Sequence, residues 1–443
     1  YQQASEVIEK LILKKGSIKG LTYNRNINVK TSKTCYALVC ETLKYKSVVD
    51  QVIEMTPNLD KEYKKNKTMK YSLMIVMIYE LLFSAHQSIK GGGHAKKTLL
   101  QYQTQINSAL ARLKIQKRCK ENIDLLPDHI RYPITLPRYV RVNTLQGVNA
   151  VQEAIDQFKS EGYEMLAQQP PLTKKLIKKE DGTVEEQSNI ILGEKEFYQD
   201  PDFKEILVFH HSIDLHDHKM LENGHIILQD KASCLPSFIL SPPKGSVCID
   251  SCSAPGNKTS LLSAQMGNTG KVYAIEKDQK RCGTLIKLTK RSLCKNIEAI
   301  NDSFLNLKHD DPKFKDVEYI LCDPSCSGSG ILDSEEKLEE EKRVKLLADF
   351  QLSIIQHAFA FPNVKKVIYS TCSVHQVENE DVVERAIKEL NKDGEKWRVV
   401  NILPHWNHSR GLPIYKNSEY SIRMTPSKDF TIGFFVALFE KID

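Results

Sequence analysis

From about residue 236 onward, short apolar runs alternate with helical segments: "SVCID", "KVYAIE", "IEAIND", "EYILCD" and "KKVIYSTCS". Runs this short, bounded by turn signals and separated by helix-length stretches, are the pattern of parallel strands joined by crossover helices. The chain is therefore expected to be α/β, with a doubly wound sheet covered on both faces. Parallel strands place their carboxyl ends on one edge, and ligands of such sheets bind outside that edge. Residues at the strand ends are thus the first candidates for chemistry. The terminal "FTIGFFVALFEKI" suits a last strand in or beside the same sheet.

Upstream the periodicity changes. To about residue 125 apolar residues recur at helical spacing, as in Val7, Ile8, Leu11 and Ile12, or Ile106, Leu110 and Leu113, which predicts a helical domain. From "LPRYVRVNTL" short β-rich runs surround the helix-like "AVQEAIDQFKSEG", which predicts a small α/β module. The expected domains are 1–130, 131–235 and 236–443. Their net charges are +11, −5 and +1, within a total of +7. A positive face confined to the N-terminal domain favours nucleic acid over a membrane as partner, the alternative being an ordinary solvated basic surface. Lys61, Lys64 and Lys65 in "KEYKKNKTMK", Arg112 and Lys117 in "ARLKIQKRCK", and Arg138 are candidate phosphate contacts. The apolar run at residues 71 to 83 is too short to span a bilayer and contains Glu80, so it reads as a buried helix. "IKGGGHAKK" reads as a flexible connection, and the acidic "LDSEEKLEEEK" as a loop running into a helix.

Eleven cysteines, an odd number with several inside apolar runs, argue for a reducing compartment. "HHSIDLHDHKM" holds His210, His211, His216 and His218 at no standard zinc spacing, and reads as a polar loop. No metal is expected.

The turn after the first strand carries the cofactor signal. In "VCIDSCSAPGNKTS" the strand ends at Asp250, Gly256 lets a ligand approach the backbone, and a helix starting near Asn257 offers free N–H groups. Glycine is missing at the positions before Lys258 where a phosphate-binding loop needs it, which sets phosphoryl transfer aside. The next strands end at Glu276, Asp302 and Asp323. An acid at the second strand end can hold ribose hydroxyls. Four acidic ends in succession favour a nucleoside cofactor with a cationic tail, S-adenosylmethionine, over an anionic dinucleotide.

"PRYVRVNTL", "HIILQDKASCLP", "DSCSAPGNKTS", "LCDPSCSGSG", "YSTCSVHQVENEDVV" and "IGFFVA" occur in the order found in the NOP/Sun family of RNA cytosine-C5 methyltransferases, which roughly the last 300 residues resemble. The similarity looks closest to the branch of its fifth member, whose substrate class is large-subunit ribosomal RNA. It implies a Rossmann-like methyltransferase sheet preceded by an RNA-recognition-like module. It also implies a nuclear and nucleolar protein acting on ribosomal RNA or a pre-ribosomal particle, and a monomer is expected. By resemblance Cys252, Ser253, Ala254, Pro255, Gly256, Asn257, Lys258, Glu276, Arg281, Asp302 and Asp323 surround S-adenosylmethionine. The chain departs from the family at Ser325, where most members have proline before the first cysteine, while the spacing of three from Asp323 to Cys326 is kept.

Two thiols, Cys326 and Cys372, stand just beyond two strands. Cytosine C5 is a poor nucleophile, and a thiolate adding to C6 makes it an enamine-like one, which is covalent catalysis. The resemblance assigns that attack to Cys372 and the release of the methylated product to Cys326. Asp323 would hold the N3/N4 edge of the base. Each thiol is expected to need local charge or a helix N-terminus, such as one opened by "HQVENEDVV", to raise its thiolate population. Cys248, Cys282, Cys294 and Cys322 read as packed apolar residues, and zinc held by Cys252, Cys326 and Cys372 is set aside. Two alternatives stand beside this reading: a DNA cytosine-C5 methyltransferase with Cys326 as nucleophile, and a non-catalytic RNA-binding assembly factor.

Overall fold

Apolar residues at helical spacing build the first of two units in the computed structural model, which describes residues 1–13, 15, 18–23, 29–59, 61, 70–131, 134–178, 184–331 and 341–442. This unit, Tyr1–Pro133, is helical, with its longer helices at Gln2–Ile12, Val29–Lys44, Lys46–Glu54, Tyr71–Leu82 and Gln103–Gln116. Tyr71–Leu82 is apolar on all sides, and Met74, Ile75, Val76 and Ile78 are buried in the core that the other helices close over. Among the described residues no helix is long and apolar enough to cross a membrane. The glycines of "IKGGGHAKK" turn through positive φ at Gly91 and Gly93, and His94 then opens a helix, His94–Gln101.

The second unit begins with a five-stranded sheet of β1 (Arg138–Val142), β2 (Glu164–Leu166), β5 (Glu196–Gln199), β6 (Ile206–Phe209) and β7 (Ile226–Leu228), in the order β2-β5-β6-β1-β7. Strands β3 (Leu172–Lys178) and β4 (Val184–Ile190) form a separate hairpin. Side chains alternate across the five-stranded sheet. Val140, Phe197 and Phe209 face the helix Ala150–Ser160, whose Phe158 lies 4.7 Å from Phe209. Tyr139, Tyr198, Ile206 and Val208 face the other way, onto Cys234 and Leu261. Those two residues belong to the helices Lys231–Leu240 and Asn257–Gln265 of the following sheet, so this face of the module is covered.

That following sheet contains β8 (Val247–Asp250), β9 (Lys271–Ile275), β10 (Ile297–Ile300), β11 (Val317–Cys322), β12 (Lys366–Thr371), β13 (Trp397–Val399), β14 (Ile422–Met424) and β15 (Phe434–Lys441). The order is β10-β9-β8-β11-β12-β15-β13, with β14 also on β15. Strands β8 to β12 pair in parallel, and β15 enters antiparallel between β12 and β13. Alternation along β15 sends Phe435, Ala437 and Phe439 to one core and Phe434, Val436 and Leu438 to the other. Both faces are therefore dry, as the near-continuous apolar runs require. The carboxyl ends of β8, β9, β11 and β12 meet on one edge.

Candidate active site

Register places the two thiols side by side. Strands β11 and β12 are neighbours, with Cys322 opposite Tyr369, so the loops that leave them run out together. Cys326 Sγ and Cys372 Sγ lie 3.1 Å apart. A hydrogen bond from Cys326 is the main influence lowering the Cys372 thiol's pKa; burial and Asp323 work against it, and Lys258 assists. The same hydrogen bond, reinforced by burial, pushes Cys326 up. Two sulfurs this close share a proton and leave at most one thiolate, where the sequence suggested both, and Lys258 favours the charge on Cys372. Nor does a helix terminus prepare it: after Cys372 comes a short 3-10 turn, Gln376–Glu378, and the helix Glu380–Leu390 opens with Glu380 and Asp381 in its first turn, the wrong charge for stabilising a thiolate.

Asp323 sits beside the thiols. Its Oδ1 accepts from Ser370 Oγ at 2.6 Å, and its Oδ2 lies 2.8 Å from Lys258 Nζ. Lys258 also donates to Ser233 Oγ at 3.1 Å and stands 5.4 Å from the centre of the Phe434 ring. Burial works to lower the Lys258 pKa, but Asp323, with Asp250 and Cys372 behind it, holds it above its ordinary value.

The β8 turn lies along the same edge. Asp250 is fully buried; its Oδ2 accepts from Thr259 at 2.7 Å, while its Oδ1 has no hydrogen-bond partner among the described residues. Burial pushes this carboxyl up to about 7, with Asp323 adding to the rise. Ser253 Oγ donates to Ile275 O at 2.9 Å, tying the turn to the end of β9. The peptide between Ala254 and Pro255 is cis, and Gly256 has φ 108°. A Cβ at Gly256 would meet Leu285 Cδ1 at 2.9 Å. Asn257 begins the helix, its carbonyl accepting from Arg141 Nη2 at 3.2 Å. Glu276 is buried, accepting from the Asp278 amide at 2.9 Å, with Arg281 Nη1 3.4 Å from its Oε2. Arg281 also donates to Ala254 O at 2.8 Å. Asp302 is exposed beyond β10, accepting from Ser303 N and Asn306 Nδ2, each at 2.7 Å. Burial pushes the Cys252 thiol up to about 12, a packed sulfur rather than a reactive one.

The candidate phosphate contacts are scattered. Arg112 donates to Met55 O at 2.9 Å, a bond within its own unit, and Lys61 and Lys117 are exposed. Lys64 and Lys65 lie outside the described residues, as does most of the acidic "LDSEEKLEEEK" segment. Arg138 is exposed and lines an open cavity of about 260 Å³ with His211, Ser212, Asp214 and His216. Of the remaining loop histidines, His218 lies 2.9 Å from Glu161 and His210 is 2.7 Å from Ser212 Oγ.

Sequence reasoning passed over residues that hold the site together. Arg141 is fully buried without a carboxylate partner among the described residues, bonding Gln229 at 2.7 Å and Ser260 at 2.8 Å. Asn143 Nδ2 donates to Gly224 O and Ser292 O, both at 2.9 Å. Arg423 grips Glu380 through Nε at 2.9 Å and Nη2 at 2.7 Å. The available signal was polar residues embedded in apolar or motif segments, which buried networks require.

A parallel sheet with acidic ends at β8 and β9 and a thiol pair beyond β11 and β12 defines a methyltransferase domain. Residues 237–440 match the family described as 16S rRNA methyltransferase RsmB/F. Residues 33–126 and 136–229 match the N-terminal and ferredoxin-like domains of NOL1/NOP2/Sun domain family member 5. The chain is 39% identical over 451 residues to the 28S rRNA (cytosine-C(5))-methyltransferase of Mus musculus, covering 100% of this chain and 91% of that one. It is 34% identical to the 25S rRNA (cytosine-C(5))-methyltransferase rcm1 of Schizosaccharomyces pombe, covering 99% and 90%. A solved methyltransferase homolog from Pyrococcus horikoshii shares the fold, with a TM-score of 0.53 at 19% identity over 89% of this chain and 99% of that one. The chain belongs to the NOL1/NOP2/Sun family, in the branch of its member 5.

Proposed function

We propose that this chain methylates C5 of a cytosine in large-subunit ribosomal RNA, with Cys372 as nucleophile and Cys326 as the base that frees the product. The observation that carries the assignment is the thiol pair at 3.1 Å, close enough to share one proton, with the Lys258 charge favouring the thiolate on Cys372. Cys372 sulfur adds to C6 of the flipped base, and the C5=C6 electrons move to C5. Asp323, fixed by Ser370 and Lys258, faces the N3/N4 edge and supports the charge that develops there. S-adenosylmethionine, when bound, supplies the methyl group that C5 takes up. The residues present fit it: the Asp250 oxygen without a partner among the described residues and the buried Glu276 are acceptors at adjacent strand ends. Ser253, Gly256, Asn257 and Arg281 shape the turn between them, with Asp302 at the outer rim.

Release follows from the same geometry. Once Cys372 is bonded to carbon it no longer offers a thiolate acceptor, and the main influence holding the Cys326 proton is removed. Capture therefore prepares the second thiol. Cys326 gives up its own proton to solvent, takes the C5 proton as a thiolate while the C5=C6 bond re-forms and the S–C6 bond breaks, and Cys372 departs as thiolate.

The three-part division at residues 130 and 235 belongs to this proposal, with the basic first part and the Arg138 rim of the second holding flanking phosphates. The enzyme acts as a monomer in the nucleolus. The RNA reading is tested by capture of protein–RNA adducts on denaturing gels. Cys326→Ala accumulates adduct and Cys326→Ala with Cys372→Ala does not. Trapping in Cys372→Ala would instead reverse the two roles.

A further inference from the structure

Beneath the thiols lies a polar lattice that the mechanism above leaves unused. Glu378 is fully buried. Its Oε1 accepts from the Ser327 amide at 2.9 Å and from Gln351 Nε2 at 2.8 Å, and its Oε2 accepts from Ser373 Oγ at 2.6 Å. Ser327 directly follows Cys326, and Ser373 directly follows Cys372. One carboxyl therefore holds both thiol-bearing loops, each by the residue next to its cysteine.

The surrounding bonds make this a closed network. Ser327 Oγ lies 3.1 Å from Ser373 Oγ and 3.0 Å from Ser329 Oγ, with one proton to give to either, while Ser329 Oγ receives the Val374 amide at 3.0 Å. Gln351, on the helix Glu341–Phe359, also donates to Ser325 O at 3.1 Å, next to Cys326. Gln351 Oε1 accepts from Tyr369 in β12 at 3.0 Å. The loop that carries Cys326 is thus also held from below by a side-chain amide. On the far side Asn379 accepts from Thr371 Oγ1 at 2.6 Å and donates to Ser373 O at 2.9 Å, fixing the residues on either side of Cys372.

We propose that Glu378 is a positioning residue that sets the separation of the Cys326 and Cys372 sulfurs. The physical reason is stiffness. Loops reaching beyond strand ends have few neighbours, and two sulfurs stay within hydrogen-bond reach only if both loops are bound to a common point. Misplacing a reacting group by about 1 Å costs on the order of 100-fold in rate. The proposal rests on the division of labour between the thiols, but its test does not depend on activity.

The test uses disulfide formation as a ruler. A diazene dicarboxamide oxidant takes two electrons and two protons from the thiol pair and is reduced to the hydrazine as the S–S bond of about 2.05 Å closes. Peptide mapping follows the Cys326–Cys372 product in the full chain. Glu378→Ala is expected to slow it at least about tenfold. Glu378→Gln, whose amide keeps an oxygen for the Ser327 amide and can donate to Ser373 Oγ, should slow it less. Val382→Ala, a fully buried change in the neighbouring helix, should lower thermal stability without slowing the ruler. An unaltered rate in Glu378→Ala overturns the proposal, as does equal slowing by Val382→Ala. Adduct capture in a Cys326→Ala background is measured in parallel and should fall with Glu378→Ala. Absence of adduct in every variant, with the ruler responding as expected, would overturn the nucleophile assignment and leave the positioning role standing.

Discussion

At the residue scale, the thiol site depends on two backbones crossing without side chains between them. The Gly330 amide donates to Cys372 O at 2.9 Å, and the Gly433 amide donates to Gly330 O at 2.8 Å. A Cβ on Gly330 would stand 2.0 Å from Gly433 O and 2.9 Å from Cys372 O. These are backbone atoms, so relief requires moving the Cys372 loop itself. Gly330→Ala is expected to lower the methylation rate by about 100-fold, with cofactor affinity close to that of the parent because the β8 turn is untouched. Single-turnover methylation beside calorimetric titration of S-adenosylmethionine checks this; a variant that methylates normally would show that the crossing is not needed for the chemistry. The glycines were visible in "CSGSG" and "IGFF", but a glycine in sequence does not say whether it is needed for a turn or for a close approach. Only the pairing of two distant segments decides that.

At the element scale, a cluster of charges joins the module to the catalytic sheet. His408 Nε2 lies 3.0 Å from Asp202 Oδ2 and its Nδ1 3.5 Å from Asp429 Oδ1, while Lys231 reaches Asp200 at 2.9 Å and Asp202 at 2.5 Å. The bonds to Asp202 and Asp429 raise His408 to about 9, against burial and Lys231. Burial works to raise Asp202, yet His408 and Lys231 bring it down to about 2. A raised histidine contributes stability that is fully present below its unfolded pKa, about 6.5, and is lost as pH climbs through the folded value. A depressed aspartate contributes above about 3.9 and is lost as pH falls through its own folded value. The cluster is thus most stabilising between about pH 4 and 6.5. Raising the pH from 6 to 9.5 should remove on the order of 2 kcal/mol through His408, after allowance for partial solvent screening. His408→Gln should flatten that slope in denaturant titrations at the two pH values; parallel slopes for parent and variant would sink the account. Strand alternation made the sheet and its acidic ends legible in the sequence, because burial on both faces demands continuous apolar runs. This cluster was not legible: Asp202, Lys231, His408 and Asp429 come from four separate segments, and no local pattern announces their convergence. The same holds for Glu378, which stood in a quoted motif yet gained a role only when both cysteine loops were seen to bond it.

At the scale of the whole molecule, charge and coverage direct where RNA can be held. The module's sheet face, the surface on which RNA-recognition folds stack bases on aromatic side chains, is turned inward here. Tyr139 is 5% exposed and Tyr198 2%, with the Tyr139 hydroxyl donating to Phe430 O at 2.9 Å. These aromatics serve the interface with the catalytic sheet. Tyr139→Phe should therefore cost about 1 kcal/mol of stability and leave RNA affinity unchanged. Affinity should instead follow the basic excess, +11 in residues 1 to 130. Lys117 and Arg118 are exposed at the end of the helix Gln103–Gln116, where phosphates are free to approach. Each phosphate contact adds about 0.7 to 0.9 to the slope of log affinity against log salt, through the counterions it releases. Reversing both charges, Lys117→Glu with Arg118→Glu, should lower that slope by about 1.4 to 1.8 and weaken binding similarly across RNA sequences, since phosphate contacts carry no base information. Filter binding of a ribosomal RNA fragment over a range of potassium chloride concentrations measures it. An unchanged slope in the reversed variant would place the RNA away from this helix, and weakened RNA affinity in Tyr139→Phe would return it to the module's sheet.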